Sequence, residues 1–451
     1  MSVVKDAARD GLGKDVVKIG GEVEAAAAET RIGELLRRPL SADGAVEVAL
    51  LGNKGLQAAY NGLGISEAQF VQASRPPNPG FSVSRVGGDF ELEIERHIVA
   101  DLLALVTLRT RAEIAETKFR KAQLQAVAAT LTLASQTRRQ YIRAVAASST
   151  ARYLAEAKAS AETSAELAKR LGESGAMNKL DQDREYAFLA ELSAELGKAR
   201  LQQGLEKERL TRLMGLWGKS IDYTLPSSLR PLPKSPKSLA RVEANALERR
   251  VDLKTARADL ALQAKELGLT NATRFVSALD IVGISNLDRK KSASLSDISK
   301  EKISRRGIEL DLELPIYDLG EARSREAQEA LRQAANRLAE KAVAIRSECR
   351  EAYLAYRGSY DIASHYQGQV LPLRQAIQDE SLLHYNGMLI DVFQLVQDSR
   401  ARILSEVAAI GARRDFWIAD AELEAALIGG GGGTSLGAAT AAATSQGGSN
   451  D

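Results

Sequence analysis

Two stretches of strict alternation stand out along the chain. In Phe90-Glu91-Leu92-Glu93-Ile94-Glu95, and again in Ile308-Glu309-Leu310-Asp311-Leu312-Glu313-Leu314, apolar residues take every second position and carboxylates the rest. Period two predicts β-strands with one apolar and one acidic face. A short strand-like stretch precedes each, FSVSRV at 81–86 and FVSALDIVGI at 275–284, so two hairpins are expected, over 81–98 and 275–316. Elsewhere the period is helical. Ala327, Leu331, Ala334, Leu338, Ala342, Ile345, Cys349, Ala352 and Tyr356 follow in steps of four and three, which is a coiled-coil seam. Cys349 lies on it and reads as a small buried hydrophobe. Val392, Val396, Ile403, Val407, Ile410 and Trp417 continue a similar pattern. Residues 101–173 predict a helical stretch of about 70 residues, or roughly 100 Å at ~1.5 Å each.

The chain is written twice. Aligning Ala49-Leu50 with Ala246-Leu247 also aligns Leu56 with Leu253, and the two alternating strands fall in step after them. Each half reads as helix, β-hairpin, long helix, turn, long helix. Gly175 and Gly387 are expected at the two turns, with backbone conformations that a Cβ disfavours. Asn178 suits the N-cap of the first return helix. The expected organisation is a poorly defined segment over 1–38, a first repeat over 39–217 and a second over 239–428. A linker over 218–238 holds Pro226, Pro231, Pro233 and Pro236, which fit neither helix interior nor central strand. The Gly/Ala/Ser-rich tail, 429–451, is expected to be disordered.

Composition narrows the function. Aromatics make up 5% of the 451 residues, which suits long helices packed through narrow seams. A net charge of +2 gives no electrostatic argument for nucleic acid. With Cys349 the sole cysteine, an internal disulfide or a cysteine-based zinc site is excluded; His97, His365 and His384 lie far apart in sequence. No metal, cofactor or catalytic group is expected, and we read the chain as a non-enzyme. There is no run of 18 apolar residues, and MSVVKDAARDGLG lacks the apolar core of a secretory signal. Gly87-Gly88-Asp89-Phe90 resembles the catalytic turn of nucleotide cyclases. In the second repeat, however, the matching position holds a longer polar stretch, 285–306, read as a loop. A catalytic motif should not lose its catalytic part while its strands persist, so the motif reads as a hairpin turn whose glycines accept positive φ.

Two readings of the alternating strands stand side by side. One is a half-buried sheet lying on helices, in a soluble coiled-coil scaffold. The other is a membrane barrel with lipid outside and a wet, acidic lumen, since a tilted spanning strand needs about nine to eleven residues. Four strands cannot close a barrel, the smallest having about eight, so the barrel would be shared between subunits. Glu91, Glu93, Glu95, Glu309, Asp311 and Glu313 would line the lumen, with Phe90, Leu92, Leu310 and Leu312 toward lipid.

From residue 39 to about 427 the sequence resembles the TolC-like outer-membrane efflux and secretion channels. The resemblance is carried by PLSADGAVEVALLGNKGLQAA (39–59), LPIYDLGEARSREAQEAL (314–331) and VLPLRQAIQDESLLHYNGMLIDVFQLVQ (370–397). Pro315, Tyr317, Asp318 and Gly320 match the junction where the last strand hands over to a long helix. The resemblance implies a mainly α fold with a small β portion. Long antiparallel coiled-coil helices would form an α-barrel tunnel, below a twelve-stranded transmembrane β-barrel shared by a homotrimer. It implies outer-membrane lipid around the barrel, an extension into the periplasm, and a periplasmic adaptor and inner-membrane pump as partners. Adaptor docking and gating would fall to Gly175, Asn178, Asp181, Gly387, Asp391 and Phe393. The second turn departs from the pattern, with Ile390 where a small hydroxyl is frequent and Phe393 where Asp is usual; Asp391 can substitute as the cap. The expected function is a passive exit duct for efflux or type I secretion, with cargo chosen by the pump. An export signal or a lipidated cysteine is expected upstream.

Overall fold

The structure, a computed structural model, describes residues 1–88, 91–238, 242–294 and 297–429. Two compact units emerge. One comprises Met1–Tyr60, Ala126–Asp252 and the described residues from Ala342; the other comprises Asn61–Gln125 and Leu253–Lys341. The expected tail, beyond Gly429, lies outside the described residues.

The N-terminal segment is more regular than its sequence suggested. It forms α1 (Ser2–Leu12), with Val4 and Ala8 buried one turn apart, and α2 (Glu22–Leu36). The first repeat opens with α3 (Ala42–Gly52), whose N-cap Ser41 accepts from the Gly44 amide, and α4 (Lys54–Ala73). After the first hairpin come α5 (Leu102–Val106), α6 (Leu108–Glu173) and α7 (Lys179–Met214). At 66 residues, α6 spans about 99 Å at ~1.5 Å per residue. The second repeat runs α8 (Val242–Arg249), α9 (Val251–Ala272), its hairpin, α10 (Glu321–His365), α11 (Leu371–Asn386) and α12 (Val392–Ile428). A π-helical turn at Tyr366–Val370 separates α10 from α11. Pro372 follows it. Proline lacks the amide that an α-helix needs four residues on, and the wider turn absorbs that loss.

The repeat extends to particular contacts. The offset that aligns Ala49 with Ala246 also places Asn53 on Arg250, and each of these residues breaks a helix pair. Asn53 accepts from the Leu56 amide (3.0 Å) and donates through Nδ2 to the Leu213 carbonyl (2.9 Å) near the end of α7. Arg250 donates to the Ala426 carbonyl (3.3 Å) near the end of α12. Each return helix is thus tied to the start of its own repeat.

The seam read from the sequence is buried or half-buried throughout α10, with Ile345, Cys349 and Tyr356 inaccessible. Cys349 Sγ donates to the Ala426 carbonyl at 3.5 Å, and burial pushes its thiol pKa up, which suits an inert core residue. Phe416 packs against Tyr356, Tyr360 and Trp417. The linker is docked here. The Trp417 indole donates to the Arg230 carbonyl, Tyr360 donates to Pro233 and Lys234, and the Lys237 amide donates to the Tyr356 hydroxyl.

The other unit holds one four-stranded antiparallel sheet, β1 (Gly80–Gly87), β2 (Glu91–Asp101), β3 (Ala278–Ser294) and β4 (Asp297–Glu313), in that order. The two hairpins therefore join edge to edge through β2 and β3. Three expectations need correction. Residues 285–294 and 297–306 are strand, not loop, because they hydrogen-bond to each other from Ser285↔Arg306 to Ser294↔Asp297. At 17 residues each, β3 and β4 are also well beyond the expected length. The first hairpin does turn at Gly87 and Gly88, the Gly88 amide donating to the Glu91 carbonyl at 2.8 Å. Neither glycine has positive φ. Asp89 and Phe90 lie outside the described residues.

Candidate channel wall and helical turns

Register fixes the two faces of the sheet. Glu91, Glu93 and Glu95 pair with Lys290, Asp288 and Asn286, while Glu309, Asp311 and Glu313 pair with Val282, Asp280 and Ala278. Since alternate residues share a face, all six carboxylates expected in the lumen lie on one side of the sheet. The register adds others that sequence alone did not single out, Asp101, Asp280, Asp288, Asp297 and Glu301. Asp101 and Asp280 stand opposite each other, and Asp311 extends the row on β4. Like charges side by side are destabilising unless water screens them. The face carries its own counter-ions, Lys290 on Glu91 (3.2 Å) and Arg305 near Asp288 (3.9 Å).

The opposite face is apolar at the end nearer α5. Leu279 faces Leu312; Ala100, Ile281 and Leu310 form the next row; Phe81, Ile98, Gly283 and Ile308 form the third. Ile308 is 79% exposed and Leu310 61%, so nothing among the described residues covers them. Leu92 belongs to this face, but further toward the turn, opposite Arg289.

The strand-to-helix junction is built from its own backbone. The Leu319 amide donates to the Pro315 carbonyl (2.8 Å), and Asp318 Oδ1 accepts from the Gly320 amide (3.0 Å). Gly320 has φ +68, and a Cβ there would collide with the Arg274 carbonyl. Leu319, at φ 50, is held by Arg274, whose guanidinium donates to its carbonyl (2.9 Å). Tyr317 projects into solvent at 99% exposure.

The helical turns share one hydrogen-bond plan. After α6, Gly175 takes φ +77; its amide donates to Gly172 and the Ala176 amide to the Leu171 carbonyl. This is a Schellman closure with glycine in the left-handed position. After α11 the same pair of bonds runs from Met388 to Tyr385 and from Leu389 to His384. Here Met388 takes the left-handed position (φ 59), while Gly387 has φ −83. The expectation for Gly387 is therefore corrected: its backbone is ordinary, and an added Cβ meets nothing closer than 3.5 Å. The N-caps correspond too. Asn178 accepts from the Asp181 amide (2.8 Å) and Asp391 from the Gln394 amide (2.9 Å). Their common spacing aligns Gly175 with Met388, a signal the sequence held but that the nearby Gly387 obscured.

The turns are linked by side chains. Arg184, one turn into α7, pairs with Asp181 (3.0 Å) and lies 4.5 Å over the ring of Phe393. Further along, Arg400 of α12 pairs with Glu191 of α7 at 3.0 Å. Glu185, on the same stretch of α7, is buried, and burial raises its carboxyl pKa above the usual range.

No family model matches the chain, and no curated protein matches it by sequence. Solved structures do match. The Campylobacter jejuni CmeC outer membrane channel superposes with a TM-score of 0.73 at 16% identity, over 96% of this chain and 93% of that one. The Vibrio cholerae outer membrane protein VceC gives 0.68 at 15% identity, covering 89% of this chain and 96% of its own. The open state of the Neisseria gonorrhoeae MtrE outer membrane channel gives 0.68 at 17%, over 86% and 88%. The chain has the fold of these outer-membrane channels, which is the TolC-like fold implied by the sequence resemblance. Among the described residues, no helix is long and apolar enough to cross a membrane.

Proposed function

We propose that this chain is one subunit of a homotrimeric outer-membrane channel, the passive exit duct of a tripartite efflux or type I secretion system. One observation carries the reading. The sheet has an acidic face, an uncovered apolar face, and two edge strands, β1 and β4, without outer partners among the described residues. A long bare edge invites pairing with another strand, and a sheet in lipid must close on itself. Four strands are too few, whereas three copies supply twelve. The Asp101, Asp280 and Asp311 row would then repeat around a wet lumen and favour cations.

The two helical turns are the natural place for closure and adaptor docking. Asn178 and Asp391 fix where α7 and α12 begin, and Arg184 clamps Phe393 across them. The cargo class, drug, metal or protein, belongs to the pump. The similarity in fold to the three channels above, together with the coiled-coil seams, supports this reading.

The test uses detergent-extracted protein. A trimer is expected in light scattering, with cation-selective conductance in a planar bilayer. Leu310→Arg should cost roughly 2–4 kcal/mol per chain near the midplane and block assembly. Glu309→Gln should assemble normally. A monodisperse monomer with intact sheet content, or equal tolerance of both substitutions, would instead indicate a soluble scaffold.

A further inference from the structure

We infer that the outward face of the sheet, on the side of the hairpin turns, binds phosphate-bearing anionic lipid headgroups of the outer leaflet. The inference rests on the barrel proposed above. Beyond the three apolar rows, the next row toward the turns is Val83, Arg96, Ser285 and Arg306. The following two rows add Arg85, Arg289 and Lys302. All five cations are exposed, and this face holds no carboxylate among the described residues. Charge is thus sorted across the sheet. On the inner face Lys290 and Arg305 have Glu91 and Asp288 beside them. On the outer face the five cations have no ion-pair partner among the described residues.

Position argues for lipid. Arginine on the lipid side of a barrel costs roughly 2–4 kcal/mol at the midplane and about 0–1 near the interface, so this belt belongs at an interface. From Leu314 to Arg306 the chain covers about 26 Å along the strand at ~3.3 Å per residue, or about 20 Å after a ~40° tilt. The arginine stems reach the remaining distance by extending outward, which matches an apolar belt of ~25 Å. Because the hairpin turns lie opposite the strand ends that lead into α5 and the 315–320 junction, the belt meets the outer leaflet. Arg96 and Arg306 sit two strands apart, about 10 Å, so two phosphates of one headgroup can engage both. A guanidinium fork binds phosphate oxygens in pairs, a stronger bond than a neutral donor makes.

The test loads the full-length trimer, in detergent, with mixed micelles of bis-phosphorylated lipid A or of phosphatidylcholine. Retained lipid is counted by native mass spectrometry after gel filtration. Lipid A should be retained selectively. Arg96→Gln/Arg306→Gln should lower retention about ten-fold or more, two charged hydrogen-bonding groups being lost. Lys290→Gln/Arg305→Gln, on the other face, should retain it as wild type does, and inorganic phosphate at matched concentration should not displace it. Equal retention of both lipids, no effect of the outer pair, or displacement by inorganic phosphate would each overturn the inference. The same preparations are examined for trimer and conductance. Conducting wild-type trimers that retain no lipid A would sink the lipid site alone; wild type that neither assembles nor conducts would sink the barrel with it.

Discussion

Arg250 is the most consequential buried charge in the chain. It is 1% exposed and sits at the break between α8 and α9. Its guanidinium donates twice to Asp252 (3.0 and 2.7 Å), pairs with Glu348 of α10 (2.6 Å), and donates to the Ala426 carbonyl of α12. Burial lowers the pKa of such a group, but the two carboxylates outweigh it and the net shift is upward. Arg250→Met keeps most of the volume while removing the guanidinium that two carboxylates and a carbonyl face. Removing one partner of a buried pair costs about 3–5 kcal/mol. The Asp252 and Glu348 side chains are 21% and 37% exposed, so water screens them and the lower end, about 3 kcal/mol, applies. At about 1.4 kcal/mol per factor of ten, local opening should become more than 100-fold more frequent. Hydrogen exchange by mass spectrometry reads this directly: peptides covering α8, the start of α9 and the end of α12 should exchange faster by that factor. The sheet should be unaffected. Adding Asp252→Asn and Glu348→Gln should recover much of the loss, because the carboxylates that faced the guanidinium are then neutral. No acceleration in the single variant, or an acceleration that the two neutralising changes leave in place, would refute the assignment of Arg250 as the tie between the ends of the second repeat.

Two further outcomes concern the turns. Met388→Gly relieves a left-handed side chain and should slow exchange at the second turn, a gain of about 1 kcal/mol or less after glycine's chain entropy; Gly175→Ala should do the reverse at the first. Glu185 has a raised carboxyl pKa, so its folded state favours the protonated form. The resulting stability is full below the usual carboxylate value and is lost as pH rises through the raised one. Exchange in the first half of α7, corrected for intrinsic chemistry, should therefore slow on acidification from neutral pH, and Glu185→Gln should remove that dependence.

What the sequence disclosed depended on whether an element carried a periodic contrast or a positional signature. The α10 seam, the two hairpins, the acidic face and the Asn178 cap each leave a periodic or positional mark, and each is found where that mark placed it. The N-terminal helices are too short to impose a long period; only Val4 and Ala8, one turn apart, hint at α1. The second turn was obscured by composition, since Gly387 drew attention from the neighbouring residue that adopts the left-handed backbone. The π turn before Pro372 was available from the proline itself. Asp101 and Asp280 could not be joined to the acidic row without the pairing register, because nothing local relates a residue of one hairpin to a residue of the other.

The distal part of the second hairpin unites the question of legibility with that of the membrane. Its outer face carries Arg306, Ser304, Lys302 and Arg289, and its inner face Arg305, Glu301, Asp288 and Lys290. With both faces mostly polar and apolar residues on each, Leu287 outside and Ile303 inside, there is no period-two contrast, so the stretch resembles a loop. It is strand because its backbone groups satisfy one another across the ladder, a bond pattern that does not require burial. The same lack of an apolar face makes this stretch costly to place in lipid. On the barrel reading, the membrane then ends where the contrast ends on β3 and β4, between the Ile308 row and the Arg306 row. On β2 the alternation runs on through Ile94 and Leu92, which this boundary leaves outside the lipid, correcting the expectation that Leu92 faces it. The outward cations place the interface at the same row through a different argument, the energetic depth dependence of arginine in a bilayer. Backbone pairing carries the hairpin past that boundary, and side-chain chemistry fixes where the boundary falls.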